Sequence, residues 1–466
     1  MAPQFERAVT LFAKRSVLTL FADRSYDPSA LEEFGGNMDG STRCATNGWN
    51  RGLLLTLLVA LALRLGLAFV VEQRVAATPD SVCLIAGDAD GYWELARKIV
   101  AGQDYSIYSP PRFVLRMPGF PVLLAVSQRL FGENTFAARC LLACVGTAAC
   151  GLTYWLGREL CDHSTGLLAA IYTALSPTLA LFSVLLLSET AFAAALLASL
   201  IAIGRMARRT QGASSARCCD VVSLIAGMLI GVATYMRPTW LYVGPMIAVA
   251  VLGSRRSEHS PGSMLTSFGW LVVGTAVALS PWVGRNYFVT GHLVPTTLWV
   301  GPSLYDGLHP GATGDSDMTF FEQDQLMVKL KMNEYDMDRE YRRRAMACMW
   351  ENPSRAMWLA VVKQGRYWSL VPNAAQFRDV KLLVIVLLAT LSLFGFALHG
   401  AWQARRDVSL LALTAGSIVL FAGLHLLFVG SLRYRLPAEY PLAVPAALGI
   451  RSLLMRFGWL TRPVCG

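Results

Sequence analysis

The chain has 466 residues, of which 54% are hydrophobic and only 15% are charged, and its mean hydropathy is +0.45. A soluble enzyme of this length would need more polar surface, so the composition excludes that class and predicts a polytopic membrane protein. The net charge of +10 comes from basic residues in short clusters between apolar segments, which is typical of membrane proteins and excludes nucleic acid as a partner. Ten cysteines show no paired CxxC or Cys/His spacing, so they predict no metal site.

The N-terminal part of the chain predicts a tail followed by a first membrane span. Residues 1–51 are mixed in charge and precede the first apolar segment by too far to form a signal peptide, so we expect a disordered cytoplasmic tail. The segment 52–71 has twenty residues, enough to cross about 30 Å of hydrocarbon as a helix. Arg64 lies within this segment, where a charged side chain needs a partner or a wet cavity.

Nine further apolar segments bring the prediction to about ten spans between residues 52 and 455. They are centred on residues 138–157, 165–183, 189–204, 221–236, 239–253, 264–281, 381–399, 408–430 and 439–455. The predicted fold is therefore an all-α membrane bundle.

Arginine clusters after alternate spans predict which side of the membrane is cytoplasmic. The arginines on that side are Arg205, Arg208, Arg209, Arg217, Arg255, Arg256, Arg405, Arg406, Arg451, Arg456 and Arg462. Both termini, including the tail 456–466, are then cytoplasmic. The outer side receives five segments: a first outer loop, 72–137, the short link near Glu189, the turn at Arg237-Pro238, a long outer loop, 282–380, and the short link 431–438.

The first outer loop contains three carboxylates that are candidates for chemistry: Asp88, Asp90 and Glu94. At helical spacing Asp88 shares a face with Tyr92 and Ala96, whereas Asp90 points roughly the other way. Asp88 can therefore face a pocket that Asp90 does not. The alternative interpretation is that Asp88 only caps a short interfacial helix.

A further carboxylate, Glu189, stands between two apolar segments near the outer membrane surface. A carboxylate at this depth is costly unless it faces a cavity or a cation, so Glu189 is a candidate for a functional site. The alternative is a carboxylate at a helix start, which the helix dipole stabilises.

The long outer loop contains a charged stretch from Phe321 to Trp350 that predicts a helix with a solvated face. Nearer the membrane, Lys363 and Arg366 lie beside aromatic residues suited to the interface. These cations could contact lipid headgroups or a substrate phosphate.

Two arginines, Arg433 and Arg435, precede the last span at the outer interface. The planar guanidinium group binds phosphate with two parallel hydrogen bonds and stays charged at any relevant pH. Anchoring to lipid headgroups is the alternative.

Taken together, these residues resemble the GT-C class of membrane glycosyltransferases, in the branch of the protein O-mannosyltransferases and the lipid A aminoarabinose transferases. The similarity covers most of residues 52–455. Its marks are Asp88, Tyr92, Ala96, Gly102, the run from Arg116 to Pro121, Phe131-Gly132, 137–139, Ser176-Pro177, Ser188-Glu189, Arg237-Pro238, Arg285-Asn286 and the run from Arg433 to Pro437. The resemblance implies a GT-C-like bundle with a helical first outer loop and a long outer loop before the last three spans.

The resemblance also implies a function and roles for individual residues. The implied donor is a sugar linked to dolichyl or undecaprenyl phosphate, and the implied catalytic residue for an inverting transfer is Asp88. In many relatives a Glu follows this Asp, whereas this chain has Ala89, so Asp90 or Glu94 is an alternative acid or base. Glu189 and Tyr92 would lie on the acceptor side. The donor phosphate would bind Arg433, Arg435, Arg237 and Lys363.

The chemistry is coherent on physical grounds. An acceptor hydroxyl is a poor nucleophile, so a carboxylate within hydrogen-bond reach takes its proton as it attacks the anomeric carbon. Fixed cations stabilise the leaving polyprenyl phosphate. Arginines suffice for this, although some members of the wider class use a divalent metal ion. The acceptor is a lipid, a glycan or a protein.

The competing function is a polytopic transporter or lipid flippase for envelope precursors in the plasma membrane. Transporters usually carry polar residues and broken helices near the midplane, together with repeated halves. This sequence shows no internal repeat, and its polar residues concentrate in two outer loops. A non-catalytic scaffold is a third alternative, but it would not need acidic and basic groups in this distribution.

Overall fold

The computed structural model describes residues 40–77, 87–209, 216–255, 260–372 and 380–457. The chain divides into two units, Met1–Gly52 and Leu53–Gly466, and every contact discussed below lies within the second. Residues 1–39 of the predicted tail lie outside the described residues, and residues 40–51 belong to a helix.

The described residues form helices and one isolated β-bridge, between Ile107 and Arg112, with no strand. The all-α fold predicted from composition is therefore confirmed. The first ten helices are α1 (Gly40–Ala76), α2 (Asp88–Val100), α3 (Gly119–Phe131), α4 (Thr135–Leu160), α5 (His163–Leu175), α6 (Pro177–Phe182), α7 (Glu189–Arg209), α8 (Ala216–Met236), α9 (Trp240–Ser254) and α10 (Pro261–Thr290). The remaining helices are α11 (Val300–Leu308), α12 (Thr319–Asp324), α13 (Leu326–Lys329), α14 (Glu334–Glu351), α15 (Pro353–Tyr367), α16 (Val380–Gln403), α17 (Val408–Thr414), α18 (Gly416–Leu424) and α19 (Leu436–Arg456).

Five helices in the described part of the chain are long and apolar enough to cross a membrane. They lie at Arg51–Ala76, Thr135–Leu160, Glu189–Arg208, Pro261–Thr290 and Val380–Gln403. Other apolar segments are shorter or interrupted: the predicted span 165–183 breaks after Leu175, where Pro177 cannot continue the hydrogen-bond ladder. The chain is a membrane protein with several apolar helices, and the count of about ten spans stays a prediction.

The two predicted outer loops both contain helices. The first holds α2 and α3, and the second holds α11 to α15. The stretch predicted as one helix from Phe321 to Trp350 is wrong in detail, because three helices occupy it. Gln325 and Lys331 adopt positive φ angles of 47° and 51°, which a continuous helix does not allow.

Helices α8 and α10 pack backbone against backbone through glycines. A Cβ atom on Gly227 would lie 1.9 Å from the carbonyl oxygen of Leu271, and one on Gly274 would lie 2.1 Å from that of Leu224. Gly231, one turn along α8, packs against a side chain instead: a Cβ atom there would lie 2.5 Å from the Cβ atom of Ala278. This is the small-residue packing by which membrane helices approach closely.

Arg64 on α1 is fully buried in the bundle. Its guanidinium group donates to the carbonyl oxygens of Ala174 at 3.2 Å and Thr173 at 3.2 Å, and to the Cys150 sulfur at 3.4 Å. The cation therefore finds the partners that its place in an apolar helix requires.

Different charged networks occupy the two ends of the bundle. At one end, Glu159 accepts hydrogen bonds from Arg205 and Arg208, and Asp162 pairs with Arg451. Helix α7 runs from this end to Glu189, about 24 Å away at 1.5 Å per residue. The arginines at 205, 208 and 451, all predicted to be cytoplasmic, thus lie far from the carboxylate of Glu189.

Candidate functional site

Asp88 is the first residue of α2, and its side chain does not cap the helix. Gly87 precedes the helix with a φ of 87°, and its backbone N–H donates to the carboxylate of Asp90 at 3.1 Å. Asp90 thus caps the N-terminus of the helix, as a carboxylate in the third helical position often does. The helical phase turns Asp88 away from this contact and towards the protein.

The Asp88 carboxylate is held between two arginines from distant parts of the chain. Its Oδ1 accepts from Arg116 Nη2 at 2.7 Å, and its Oδ2 lies 2.8 Å from Arg433 Nη1. The Asp88 side chain keeps 36% exposure, so a substrate can reach it. Arg116 also lies 4.6 Å above the ring of Tyr92, one turn along α2 from Asp88.

Glu189, the first residue of α7, extends the same set of contacts. Its Oε1 accepts from Arg237 Nη2 at 2.6 Å and also from Arg433 Nε. The side chain is only 2% exposed, and Oε2 is buried with no hydrogen-bond partner among the described residues. Glu189 therefore combines both interpretations made from the sequence, since it starts a helix and also faces cations.

These five side chains form one continuous chain of ion pairs, which we call the site network: Arg116, Asp88, Arg433, Glu189 and Arg237. They come from α2, the loop before α3, the start of α7, the turn between α8 and α9, and the link before α19. Three guanidinium groups face two carboxylates, so the site network carries one excess positive charge. An anionic ligand would neutralise it.

The arginines set the protonation of Asp88. Burial by itself would raise the pKa of this carboxyl, but the charges of Arg116 and Arg433 outweigh burial and hold the pKa well below its usual range. Asp88 is therefore ionised throughout the physiological range. It is a weak base as long as both arginines hold it.

Aromatic rings line the Arg237 side of the site network. The Arg237 guanidinium lies 5.4 Å from the ring centre of Tyr434 and 5.9 Å from that of Phe192. Tyr434 in turn stacks on His425, with ring centres 4.6 Å apart. These contacts leave Arg237 limited freedom to move and shield it from water.

Arg435 lies elsewhere, although it is only two residues from Arg433. Its fully buried guanidinium donates to Glu439 at 2.7 Å and to the carbonyl oxygens of Tyr367 and Ser369 at 2.6 and 2.7 Å. These contacts tie the start of α19 to the end of α15. The role of Arg435 in binding phosphate stays a prediction, and its contacts are those of a structural residue.

Lys363 on α15 is also buried and occupied. Its Nζ donates to the carbonyl oxygens of Leu427 at 2.7 Å and Leu426 at 3.3 Å. Burial lowers the pKa of this amine to about 8, against a smaller opposing effect of Asp306. Its predicted contact with a donor phosphate is untested by this geometry.

The two alternative carboxylates of α2 make only local contacts. Asp90 is exposed beyond its bond to Gly87, and Glu94 pairs with Arg97 at 3.0 Å. Arg97 also binds Glu133 at 2.9 Å, on the exposed surface. Neither Asp90 nor Glu94 joins the site network.

Sequence reasoning missed Arg116 as a site residue. It was noticed only as the start of the run to Pro121, and nothing local marks it as the partner of a carboxylate 28 positions earlier.

Among the described residues, no group of three or more His, Cys, Asp or Glu side chains could hold a metal ion.

A cavity of about 440 Å³ adjoins the turn that carries Arg237. Its walls come from α9, the segment after α10, α14 and the end of α18, and include Pro238, Tyr242, Leu293, Phe428, Arg339 and Arg342. Tyr242 and Leu293 are largely exposed, so the apolar wall opens to the surroundings of the bundle.

Comparison with known proteins confirms the resemblance inferred from the sequence. Residues 115–283 match the model of the dolichyl-phosphate-mannose-protein mannosyltransferase family. This segment contains Arg116, Glu189 and Arg237, whereas Asp88 and Arg433 lie outside it. No curated protein sequence matches the chain significantly.

Several solved structures are similar to the chain at low sequence identity. The oligosaccharyltransferase AglB of Archaeoglobus fulgidus, in complex with an inhibitory peptide and a dolichol-phosphate, is 15% identical over 87% of this chain, with a TM-score of 0.49. Its apo form gives 14% identity and a TM-score of 0.48. This chain spans about half the length of that archaeal enzyme, since the match covers 51% of it. ArnT of Cupriavidus metallidurans, bound to undecaprenyl phosphate, is 13% identical over 90% of this chain and 81% of its own, with a TM-score of 0.42.

Proposed function

We propose that this protein is a membrane glycosyltransferase that moves a sugar from a polyprenyl-phosphate donor to an acceptor hydroxyl, with inversion, on the outer face of the plasma membrane. The observation that carries the proposal is the partly exposed Asp88 carboxylate held between Arg116 and Arg433. The match of residues 115–283 to a family that uses dolichyl-phosphate-mannose supports the class of donor.

Asp88 is the proposed catalytic base. The acceptor oxygen attacks the anomeric carbon, the bond from that carbon to the phosphate oxygen breaks, and the phosphate leaves with the electron pair. Asp88 takes the hydroxyl proton. One carboxylate serves an inverting transfer, in contrast to the pair of carboxyl groups that flank the bond in glycoside hydrolases.

Arg433 links the donor to the base. Its guanidinium binds Asp88 and also faces Glu189, so a phosphate that draws Arg433 towards itself removes a cation from Asp88. With one arginine fewer, the Asp88 carboxylate becomes a stronger base because less positive charge stabilises its ionised form. The base would therefore gain strength when the donor is in place.

The donor phosphate is proposed to bind Arg433 and Arg237, where fixed positive charge stabilises the leaving group in a partly dehydrated site. The apolar wall of the adjoining cavity, at Tyr242, Leu293 and Phe428, would accommodate the beginning of the prenyl chain. Glu189 and Tyr92 stay the candidates for the acceptor side. The sugar is a hexose or a pentose, and the acceptor is a lipid, a glycan or a protein.

The transporter alternative has less support, because the sequence shows no internal repeat of the kind that transporter folds usually contain.

The test is transfer from a defined polyprenyl-phosphate sugar by the purified protein in liposomes. Asp88→Asn keeps the size and hydrogen-bonding shape of the side chain but cannot take a proton, so we expect transfer to be abolished while the protein stays folded and inserted. Asp90→Asn and Glu94→Gln should lose much less. If Asp88→Asn transfers sugar at the wild-type rate, the proposed mechanism fails.

A further inference from the structure

We propose that Glu189 is an internal competitor of the donor phosphate: in the unloaded protein its carboxylate occupies the two guanidinium groups, of Arg237 and Arg433, that the phosphate binds. The inference rests on the proposed function. It gives Glu189 a task on the donor side, whereas the sequence suggested the acceptor side.

Glu189 contacts its two arginines through only one of its two carboxylate oxygens. Both arginines converge on Oε1, while Oε2 is buried with no hydrogen-bond partner in the part of the chain that the structure describes. Buried polar atoms are usually hydrogen-bonded, so Glu189, which contacts the two guanidinium groups through only one of its carboxylate oxygens, is a poorer partner for them than an anion that engages several oxygens. A phosphate group has more acceptor oxygens and could serve both guanidinium groups at once.

Charge leads to the same conclusion. The site network has one excess positive charge, which the single negative charge of a polyprenyl-phosphate sugar, a phosphodiester, would neutralise. The product of transfer is a phosphate monoester, which carries about −1.5 to −2 at neutral pH. The arginines would hold this product more tightly than the donor. A carboxylate ready to take the arginines back therefore favours product release.

The other groups around these arginines do not replace Glu189 in this task. Asp88 faces Arg433 from α2 but is already shared with Arg116, and Tyr434 and Phe192 offer only ring faces to Arg237. Glu189 is the residue that joins Arg237 to Arg433.

The experiment measures binding of farnesyl phosphate to the full-length protein in nanodiscs, with farnesol as the uncharged probe. Glu189→Gln removes the competing charge but keeps the shape of the side chain. We expect the Kd for farnesyl phosphate to fall on the order of tenfold, because like charges a few ångströms apart repel strongly in a partly buried site. The Kd for farnesol should not change. Glu133→Gln is the matched control, since it removes a carboxylate from the exposed ion pair between Glu133 and Arg97, which lies outside the site network.

Two further measurements separate competition from a merely structural role. In the Arg433→Gln background the gain from Glu189→Gln should shrink, because one of the contested guanidinium groups is absent. With a sugar donor, Glu189→Gln should lower the KM for the donor and lower kcat through slower product release. If Glu189→Gln folds poorly, Glu189→Ala provides a second test. Farnesyl phosphate should then raise the unfolding temperature of Glu189→Ala more than that of the wild-type protein.

Unchanged or weaker binding of farnesyl phosphate by both Glu189 variants would overturn the inference and show that Glu189 positions the arginines. The proposed function would survive that result. Wild-type protein that binds farnesol as tightly as farnesyl phosphate would instead overturn the donor class of the proposed function.

Discussion

At the scale of single residues, two arginines in the same short motif have different surroundings. Arg433 belongs to a single 3₁₀ turn, Leu432–Tyr434, and faces Asp88 and Glu189, whereas Arg435 turns inward to Glu439. The sequence predicted that both would contact phosphate, because both follow the same apolar segment and carry the same group. Which way each side chain points depends on the turn, and neighbouring residues alone do not determine it.

The two arginines should therefore respond differently to substitution. Arg433→Ala is expected to raise the KM for the donor and reduce transfer with the protein still folded, and Arg433→Lys should restore only part of it because the bidentate geometry is lost. Arg435→Ala leaves Glu439 buried without its cation and should cost about 3–5 kcal/mol of stability. Donor titration and thermal unfolding of both variants check this. Equal loss of stability in the two alanine variants would contradict the assignment.

Lys363 provides a pH-dependent test at the same scale. Burial lowers the pKa of its amine from 10.5 to about 8 in the folded protein. Between these values the unfolded chain binds more protons than the folded one, so this residue makes stability rise as the pH increases from about 8 to 10.5. Unfolding of wild type and of Lys363→Gln across this range should show a smaller rise for the variant. Identical slopes would mean that Lys363 titrates normally.

At the scale of helices, the lengths of the apolar segments and the polar residues between them predicted where most of the helices lie. The predicted segment 189–204 corresponds to α7, whereas the segment 165–183, predicted as one span, is interrupted at Pro177. The stretch from Phe321 to Trp350 was predicted as one helix because it is rich in charged residues. Its interruptions at Gln325 and Lys331 involve residues with no strong preference for turns, so the tertiary packing of α12 and α13 sets them.

The close approach of α8 and α10 makes their glycines sensitive to added volume. Gly227→Ala places a methyl group against a backbone carbonyl oxygen, which α10 can relieve only by moving away, so we expect a clear fall in the unfolding temperature. Gly269→Ala on α10 has nothing within 4 Å of the added carbon and should be neutral or slightly stabilising. A comparable fall in both variants would show that the effect is not one of packing.

At the scale of the whole molecule, the positive-inside pattern predicts that the site network faces outward. A reporter fused after Arg209 or Arg406 should read cytoplasmic, and one inserted within residues 300–360 should read external. Cys348 on α14 should react with an impermeant thiol reagent in intact cells, because it is a free and partly exposed thiol of the long loop. Reaction of Cys218 or Cys219 with the same reagent would contradict this assignment of the cytoplasmic and outer sides.

The sequence predicted the helical class, the two helix-containing loops and four members of the site network. Asp88, Glu189 and Arg433 were identified as charges close to apolar segments, and Arg237 was identified only through the resemblance to the GT-C class. Their mutual contacts were not predicted, because partners such as Asp88 and Arg433 lie hundreds of residues apart and meet only through the packing of the bundle. Arg116 was missed although it lies only 28 positions from Asp88, because no local pattern marks the loop before α3 as the place of its partner.

The buried Arg64 has a consequence for biosynthesis. Its carbonyl partners at Thr173 and Ala174 are translated about 110 residues later, so for roughly 5–20 s at ordinary synthesis rates α1 exists without them. During that interval the guanidinium group faces lipid, water or the insertion machinery, and only the strong apolar character of the rest of α1 holds the helix in the membrane. Ribosome-bound chains that end before α5 should therefore release α1 from the bilayer more readily than chains that include it. The order in which helices leave the ribosome thus contributes to how this protein reaches its native state.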